Sequence, residues 1–427
     1  MSEGSTYTLF VAATDFEAVP ALARPPARPG LVVMKFGGTS VADPERLKAV
    51  AQRLVDARAG GAQVVAVLSA MGDTTDELID LAHQISPSPK PRALDMLISV
   101  GERISGALAE MAVHDLGYEA VSLTGSQAGI VTDTRHTKAK IADIRPRRVH
   151  QALDEGKIVL VAGFQGVSTT FDITTLGRGG SDATAVALAA ALGADACEIY
   201  TDVEGVFTAD PRIVPEARKL HAVSYEEMLE MAASGAKVMM LRSVELARNY
   251  GVTLHVRSTF SGNEGTWIGE EDERMLEKAM ISGVTHTVEE TLYRVAGTTP
   301  SRLFGALADA NVNVDTIVRT REEIVFSAPF EDHADAARTL DELGVRWTAR
   351  DDLGKVSLIG AGMKSHPGVA AKTFSTLAGL GIEPELVNTS PIKIACFVER
   401  GEVERAVRAL HDVFELDRPG AERSDAA

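Results

Sequence analysis

The chain has 427 residues, 45% hydrophobic and 24% charged, with a net charge of −17, the balance of a globular protein of two or three domains. Such acidity excludes general binding to nucleic acid or an anionic membrane, which need a basic surface, but leaves room for a local basic pocket. No uninterrupted apolar run is long enough to span a bilayer.

Residues 1–30 are rich in Ala and Pro and lack the basic start and long apolar core of a secretory signal, so a flexible extension is expected there. From Leu31 the pattern is strand, loop, helix, repeated. Leu31–Phe36 and Gln63–Leu68 read as strands, and Asp43-Pro44 as an N-cap followed by a first-turn proline. A long helical region is expected over Arg92–Leu116. Short strands follow at Ala120–Leu123, Lys157–Ala162, Glu198–Thr201 and Thr253–Val256, with an Ala-rich helix at Ser181–Leu192. Ser224 and Glu227 form a capping-box signature. Alternating buried strands and helices predict an α/β domain over 31–268, a mostly parallel sheet sandwiched by helices.

The style changes after Thr266. A charged stretch suggests a linker over 269–290. Beyond it lies a weak repeat: Leu303-Phe304, Leu307, Val312 and Asp315 recur 70 residues later as Thr373-Phe374, Leu377, Ile382 and Glu385. Two βαββαβ modules are expected, at 291–350 and 351–416, with the option that they exchange strands, and then a flexible tail at 417–427. Cys197 and Cys396 have neither metal nor disulfide spacing and sit in apolar stretches, so buried thiols in a reducing cytoplasm are expected.

There is no P-loop, no dinucleotide fingerprint and no protein-kinase motif set. Glycine clusters nonetheless follow strands at three places. Lys35-Phe36-Gly37-Gly38 offers a cation beside backbone that can approach an anion closely; its plainer reading is a tight turn with a surface lysine. Ser69 to Thr75 combines small residues with hydroxyls at a strand's carboxyl end, where a simple turn is the stronger reading. Thr174 to Asp182 is more telling. Three glycines, Arg178, Ser181 and Asp182 stand at a helix mouth, where an ordinary start needs one glycine at most. A fourth segment, Thr201 to Arg212, leaves a strand with two acids and an arginine, and Lys237 opens a helix. This mixture of cations and backbone donors on strand-end loops suits phosphoryl transfer.

Lys35–Ser40, Gly163-Phe164-Gln165-Gly166, Thr175–Asp182 and Thr201–Arg212 resemble the motifs of the aspartate kinase family in order and spacing, from about Val32 to Leu416. The resemblance implies an amino-acid-kinase fold with two C-terminal ACT modules, and transfer of the ATP γ-phosphoryl group, with Mg²⁺, to the β-carboxylate of L-aspartate. That is the first step toward lysine, threonine and methionine. It implies Lys35 on the transferring phosphoryl, Asp182 orienting it, and backbone hydrogen bonds from Gly37 and Gly38. Arg178 would hold a substrate carboxylate and Glu102 the ammonium, with Ser69, Thr75, Phe164 and Ser181 lining the substrate side. Thr201, Asp202, Phe207, Asp210, Arg212 and Lys237 would frame the nucleotide. No set of protein metal ligands is assigned. A homo-oligomer is expected, with amino-acid effectors at the modules left open and Met275 a candidate internal start.

The chain departs from the family pattern in places. Phe207 stands where a tyrosine is usual. Gly297-Thr298-Thr299-Pro300-Ser301 replaces an acidic effector loop, Val318-Arg319-Thr320 a Gln-Asn pair, and Pro391 a common acid, whereas Gly362–Gly368 is retained. Weak inhibition by lysine and threonine is therefore expected. Two rivals remain: an amino-acid kinase for another acidic substrate, and a catalytically weak amino-acid-sensing homologue. Arg178 and the paired modules disfavour the first, Lys35 and Asp182 the second.

Overall fold

The computed structural model describes residues 30–270, 281–361, 363 and 368–418. The expected extension up to residue 29, Met275, Gly362, residues 364–367 and the tail from 419 lie outside the described residues.

An eight-stranded sheet organises the first domain, in the spatial order Ala222–Ser224, Thr266–Gly269, Leu254–Ser258, Ala196–Thr201, Leu31–Phe36, Gln63–Leu68, Ile158–Ala162, Ala120–Leu123. The six strands from Leu254–Ser258 onward in this order are parallel. Thr266–Gly269 and Ala222–Ser224 run the other way. Strand alternation assigns each face its own core. Val33, Val65, Val67, Val159 and Val161 pack on one side with the helix Gly180–Leu192. Met34, Phe36, Ala66, Leu68 and Leu160 pack on the other with the helices Pro44–Ala59 and Gly101–Asp115. The Gly180–Leu192 helix is apolar nearly all round because it is covered twice. A second, four-stranded sheet (Ile141–Ile144, Ile130–Thr132, Gln165–Ser168, Ile173–Thr175) contributes Ile130 and Ile144 to the same core. These strands are only three or four residues long, too short for sequence alternation to mark them.

The long helical region expected over Arg92–Leu116 consists of two helices, Pro91–Ile98 and Gly101–Asp115. Between them the buried Ser99 carbonyl accepts a hydrogen bond from Gln165 Nε2 at 2.7 Å. Gly101 lies so close to Ala70 that an added Cβ would stand 2.6 Å from the alanine's own.

Two four-stranded sheets follow. The first is Arg346–Arg350, Glu290–Ala296, Glu323–Pro329, Ile317–Arg319, with the helices Pro300–Asp309 and His333–Glu342, each helix following a strand in βαββαβ order. The second is Gly283–Thr287, Leu353–Ile359, Lys393–Glu399, Leu386–Ser390, with the helices Gly368–Gly379 and Val403–Val413. Gly283–Thr287 falls inside the stretch 269–290, so the expectation of a plain linker there is corrected. Its pairing with Leu353–Ile359 threads the second sheet's edge strand ahead of the whole first module. Among the described residues no helix is long and apolar enough to cross a membrane.

Candidate active site

Four neighbouring parallel strands, Ala196–Thr201, Leu31–Phe36, Gln63–Leu68 and Ile158–Ala162, end on one edge. Their loops are tied together by backbone bonds: Gly37 N–H donates to Tyr200 O (3.3 Å), Ser69 N–H to Phe36 O (3.1 Å) and Gly163 N–H to Leu68 O (3.0 Å). Gly37 N–H is thus already engaged. Gly38 opens the short 3₁₀ turn Gly38–Val41, and an added Cβ there would sit 3.1 Å from both Ala70 O and Gly72 O.

Lys35 projects from the penultimate position of its strand. Its Nζ lies 2.6 Å from Asp182 Oδ1, and the two side chains are 12% and 9% exposed. Asp182 sits in the first turn of the Gly180–Leu192 helix, whose entry is set by the left-handed Gly179 (φ 71°). Ser181, on the same turn, meets Gly163 across the strand end; a Cβ on Gly163 would come within 2.7 Å of Ser181 Oγ. Phe164 carries a left-handed backbone at φ 66°, a strain of about 1–3 kcal/mol for a bulky residue. It is held by Thr184 Oγ1, which accepts its N–H at 3.2 Å, and by Leu176, whose N–H donates to its carbonyl at 2.9 Å. Nothing in the sequence signals this conformation.

Glu102 begins the Gly101–Asp115 helix and is 3% exposed. Burial pushes its carboxyl up to about 7 despite nearby backbone donors and Arg103. Among the described residues its buried Oε2 has no hydrogen-bond partner. Ser69 and Thr75 are half-buried on the loop and first helical turn after Gln63–Leu68. Arg178 is exposed and, among the described residues, makes no ion pair or hydrogen bond.

Thr201, Asp202, Phe207, Asp210, Arg212 and Lys237 all line one cleft of about 570 Å³. Arg212 grips Asp210 through Nε (3.0 Å) and Nη2 (2.6 Å), which holds the Asp210 carboxyl below its ordinary range. Lys237 Nζ lies 2.7 Å from Glu289 Oε1. The far wall is the strand Gly283–Thr287 with Val288 and Glu289, from the C-terminal part. Val284 N–H donates to Thr208 O at 2.7 Å, and Ala209, Ile213 and Val214 join the apolar core of the second module. This shared wall was invisible in the sequence, because 283–289 reads as linker.

The arrangement offers a cleft of nucleotide size, a lysine held by a buried carboxylate at the strand ends, and a second buried carboxylate with a free lone pair. Residues 30–258 match the amino acid kinase family and residues 356–414 match an ACT domain. An aspartokinase of Mycolicibacterium smegmatis is 52% identical over 405 residues, covering 90% of this chain and 96% of the relative. The solved aspartate kinase from Synechocystis is 40% identical, with a TM-score of 0.52 over 90% of this chain and 69% of that one. Escherichia coli aspartokinase III, crystallised with aspartate and ADP, shares the fold at a TM-score of 0.79 and 24% identity over 90% of this chain and 100% of that one. The chain belongs to the aspartokinases of the amino acid kinase family.

Proposed function

We infer that the chain is an ATP-dependent aspartate kinase, transferring the γ-phosphoryl group to the β-carboxylate of L-aspartate to give 4-phospho-L-aspartate. The observation that carries this reading is the Lys35–Asp182 pair at the shared strand edge, 2.6 Å apart and largely buried, in a chain half identical to an aspartokinase over nine-tenths of its length. A carboxylate is already nucleophilic, so no general base is required. The barrier lies in bringing two anions together in line. Lys35 meets that need by neutralising charge on the transferring group. Asp182 holds its ammonium in place, so little reorganisation accompanies transfer.

Glu102 accepts the substrate ammonium, a partner for the buried lone pair on Oε2. Arg178, which has no ion-pair or hydrogen-bond partner among the described residues, clamps a substrate carboxylate through two parallel bonds. Ser69, Thr75, Phe164 and Ser181 line the substrate side. The nucleotide occupies the cleft at Thr201–Arg212 and Lys237. Phe207 supplies a ring face there without a hydroxyl. Mg²⁺ would arrive on the phosphates, with one or two carboxylates, such as Asp202 or Asp210, holding it. The ion's chemistry is further charge neutralisation.

A homo-oligomer belongs to the same reading. Val100, Ile104, Leu108 and Met111 are all exposed along the Gly101–Asp115 helix and the residue before it, an apolar stripe that association would cover. The free, buried Cys197 and Cys396 accord with a cytosolic setting. ADP release measured with aspartate, glutamate, acetylglutamate, carbamate and UMP tests the function. Aspartate should give the highest rate; a preference for any other acceptor overturns the substrate.

A further inference from the structure

Arg178 stands on a short span between two fixed feet, and the foot on its N-terminal side is nailed to a buried carboxylate outside the Lys35–Asp182 pair. Asp95, in the helix Pro91–Ile98, is fully buried. Its Oδ1 accepts the Thr175 hydroxyl at 2.6 Å and the Thr137 N–H at 3.1 Å. Its Oδ2 accepts the same N–H at 3.1 Å and lies 2.7 Å from His136 Nδ1. A carboxylate taken fully out of water costs several kcal/mol unless its oxygens are satisfied. Here the donors come from two segments on either side of the Arg178 loop.

Thr175 ends the strand Ile173–Thr175, three residues before Arg178. Leu176 is fixed next: its carbonyl accepts from Arg242 Nη1 at 3.0 Å. Gly177 (φ 76°) and Gly179 (φ 71°) then turn the chain through left-handed conformations into the helix. Gly177 itself lies against Thr137; an added Cβ would stand 3.0 Å from Thr137 O. Ala139 N–H donates to Thr175 O at 2.9 Å. Asp95 therefore holds both the strand that delivers Arg178 and the backbone against which that loop folds. The loop itself has two glycines and no side-chain anchor of its own at Arg178, so its geometry is borrowed from these contacts.

We propose that Asp95 is a positioning residue for aspartate recognition: through the Thr175 hydroxyl and the Thr137 amide it sets where the Arg178 guanidinium meets the substrate carboxylate. The inference rests on the reading of Arg178 as the carboxylate clamp. A planar two-pronged contact tolerates misplacement poorly, so loosening the foot should weaken aspartate capture while leaving the nucleotide cleft, built from other loops, untouched.

Thr175→Val removes one hydroxyl at constant shape and leaves Asp95 its other partners, so folding is preserved. It should raise the KM for aspartate about fivefold or more and leave the KM for ATP within about twofold. Thr175→Ser should restore the wild-type value, and Asp95→Asn should act in the same direction as Thr175→Val. In an Arg178→Ala background, which itself raises the aspartate KM, Thr175→Val should add less than about twofold. A normal aspartate KM in Thr175→Val, with Arg178→Ala impaired, overturns the positioning role and leaves the clamp standing. A normal aspartate KM in Arg178→Ala overturns the clamp, and the positioning role with it. Equal rises in both KM values would make Asp95 a general structural support and also overturn the proposal.

Discussion

Lys237 Nζ is paired at 2.7 Å with Glu289 Oε1, so a cation lining the cleft of about 570 Å³ is bound to a carboxylate from the segment that joins the two C-terminal sheets. Both side chains are largely exposed, 70% and 65%, and such a pair is worth at most about 1 kcal/mol. In the proposed nucleotide role, Lys237 must leave Glu289 to reach a phosphate. Glu289→Gln should therefore tighten ATP binding by up to about fivefold, read as a lower Kd for a non-hydrolysable nucleotide. Weaker binding would mean that Glu289 orients Lys237 rather than competing for it.

Lys35 and Asp182 form a largely buried pair, so removing one partner strands the other. Lys35→Met should lower kcat by about 100-fold or more, and should also lower Tm, because an unpaired buried carboxylate costs about 3–5 kcal/mol. Adding Asp182→Asn should recover much of the Tm and none of the kcat. Thermal melts and turnover on the single and double variants separate the two effects. Activity returning with stability would remove Lys35 from the chemistry.

Glu102 is pushed up to about 7 by burial. An ammonium binds the ionised form, so the KM for aspartate should fall as pH rises from about 6 to about 8, with proton release on binding approaching one per substrate at the acid end and vanishing at the alkaline end. The same shift acts on folding with a definite sign. The folded value lies above the ordinary 4.5, so Glu102 favours the folded state below 4.5, and that contribution is lost as pH rises through about 7. Saturating aspartate should offset the loss. Glu102→Gln should raise the aspartate KM and flatten its pH dependence; a retained slope would assign the proton elsewhere.

Lysine and threonine, alone or together, should inhibit weakly. In the first module, Asp315 Oδ2 is already engaged at 2.7 Å by the fully buried Lys355 ammonium, which also pairs with Glu290. Arg319 is exposed on the nearby edge strand, where it repels an incoming ammonium. An effector shifts an equilibrium only by its differential affinity for the two states, and the Lys355 pairing and the Arg319 charge both work against an effector that carries an ammonium. Titration of both amino acids against activity checks this. Sub-millimolar inhibition that steepens when both are present would contradict it.

The strand-end loops were legible because close backbone approach is written in glycine. Lys35-Phe36-Gly37-Gly38 and the run from Thr174 to Asp182 mark the loops that the structure brings together through Lys35 and Asp182, and the 70-residue repeat signals paired modules. What escaped notice depends on partners far apart in sequence. Asp95 looks like an ordinary polar helix residue until Thr137 and Thr175 meet it, 42 and 80 positions away. Gly283–Thr287 follows a charged stretch and carries a single large apolar residue, Val284, so it does not read as a strand, yet it pairs with Leu353–Ile359 and walls the cleft at Thr201–Arg212. The strain at Phe164 is set by tertiary contacts with Thr184 and Leu176, which no local propensity encodes.

Trapping the product with hydroxylamine tests phosphoryl transfer to a substrate carboxylate most directly, since an acyl phosphate yields a hydroxamate and other phosphorylated acceptors do not. With Mg-ATP and L-aspartate, the enzyme should form aspartyl β-hydroxamate in step with ADP, and Lys35→Met should form almost none. ADP release without hydroxamate, or hydroxamate from glutamate in preference to aspartate, would contradict the account.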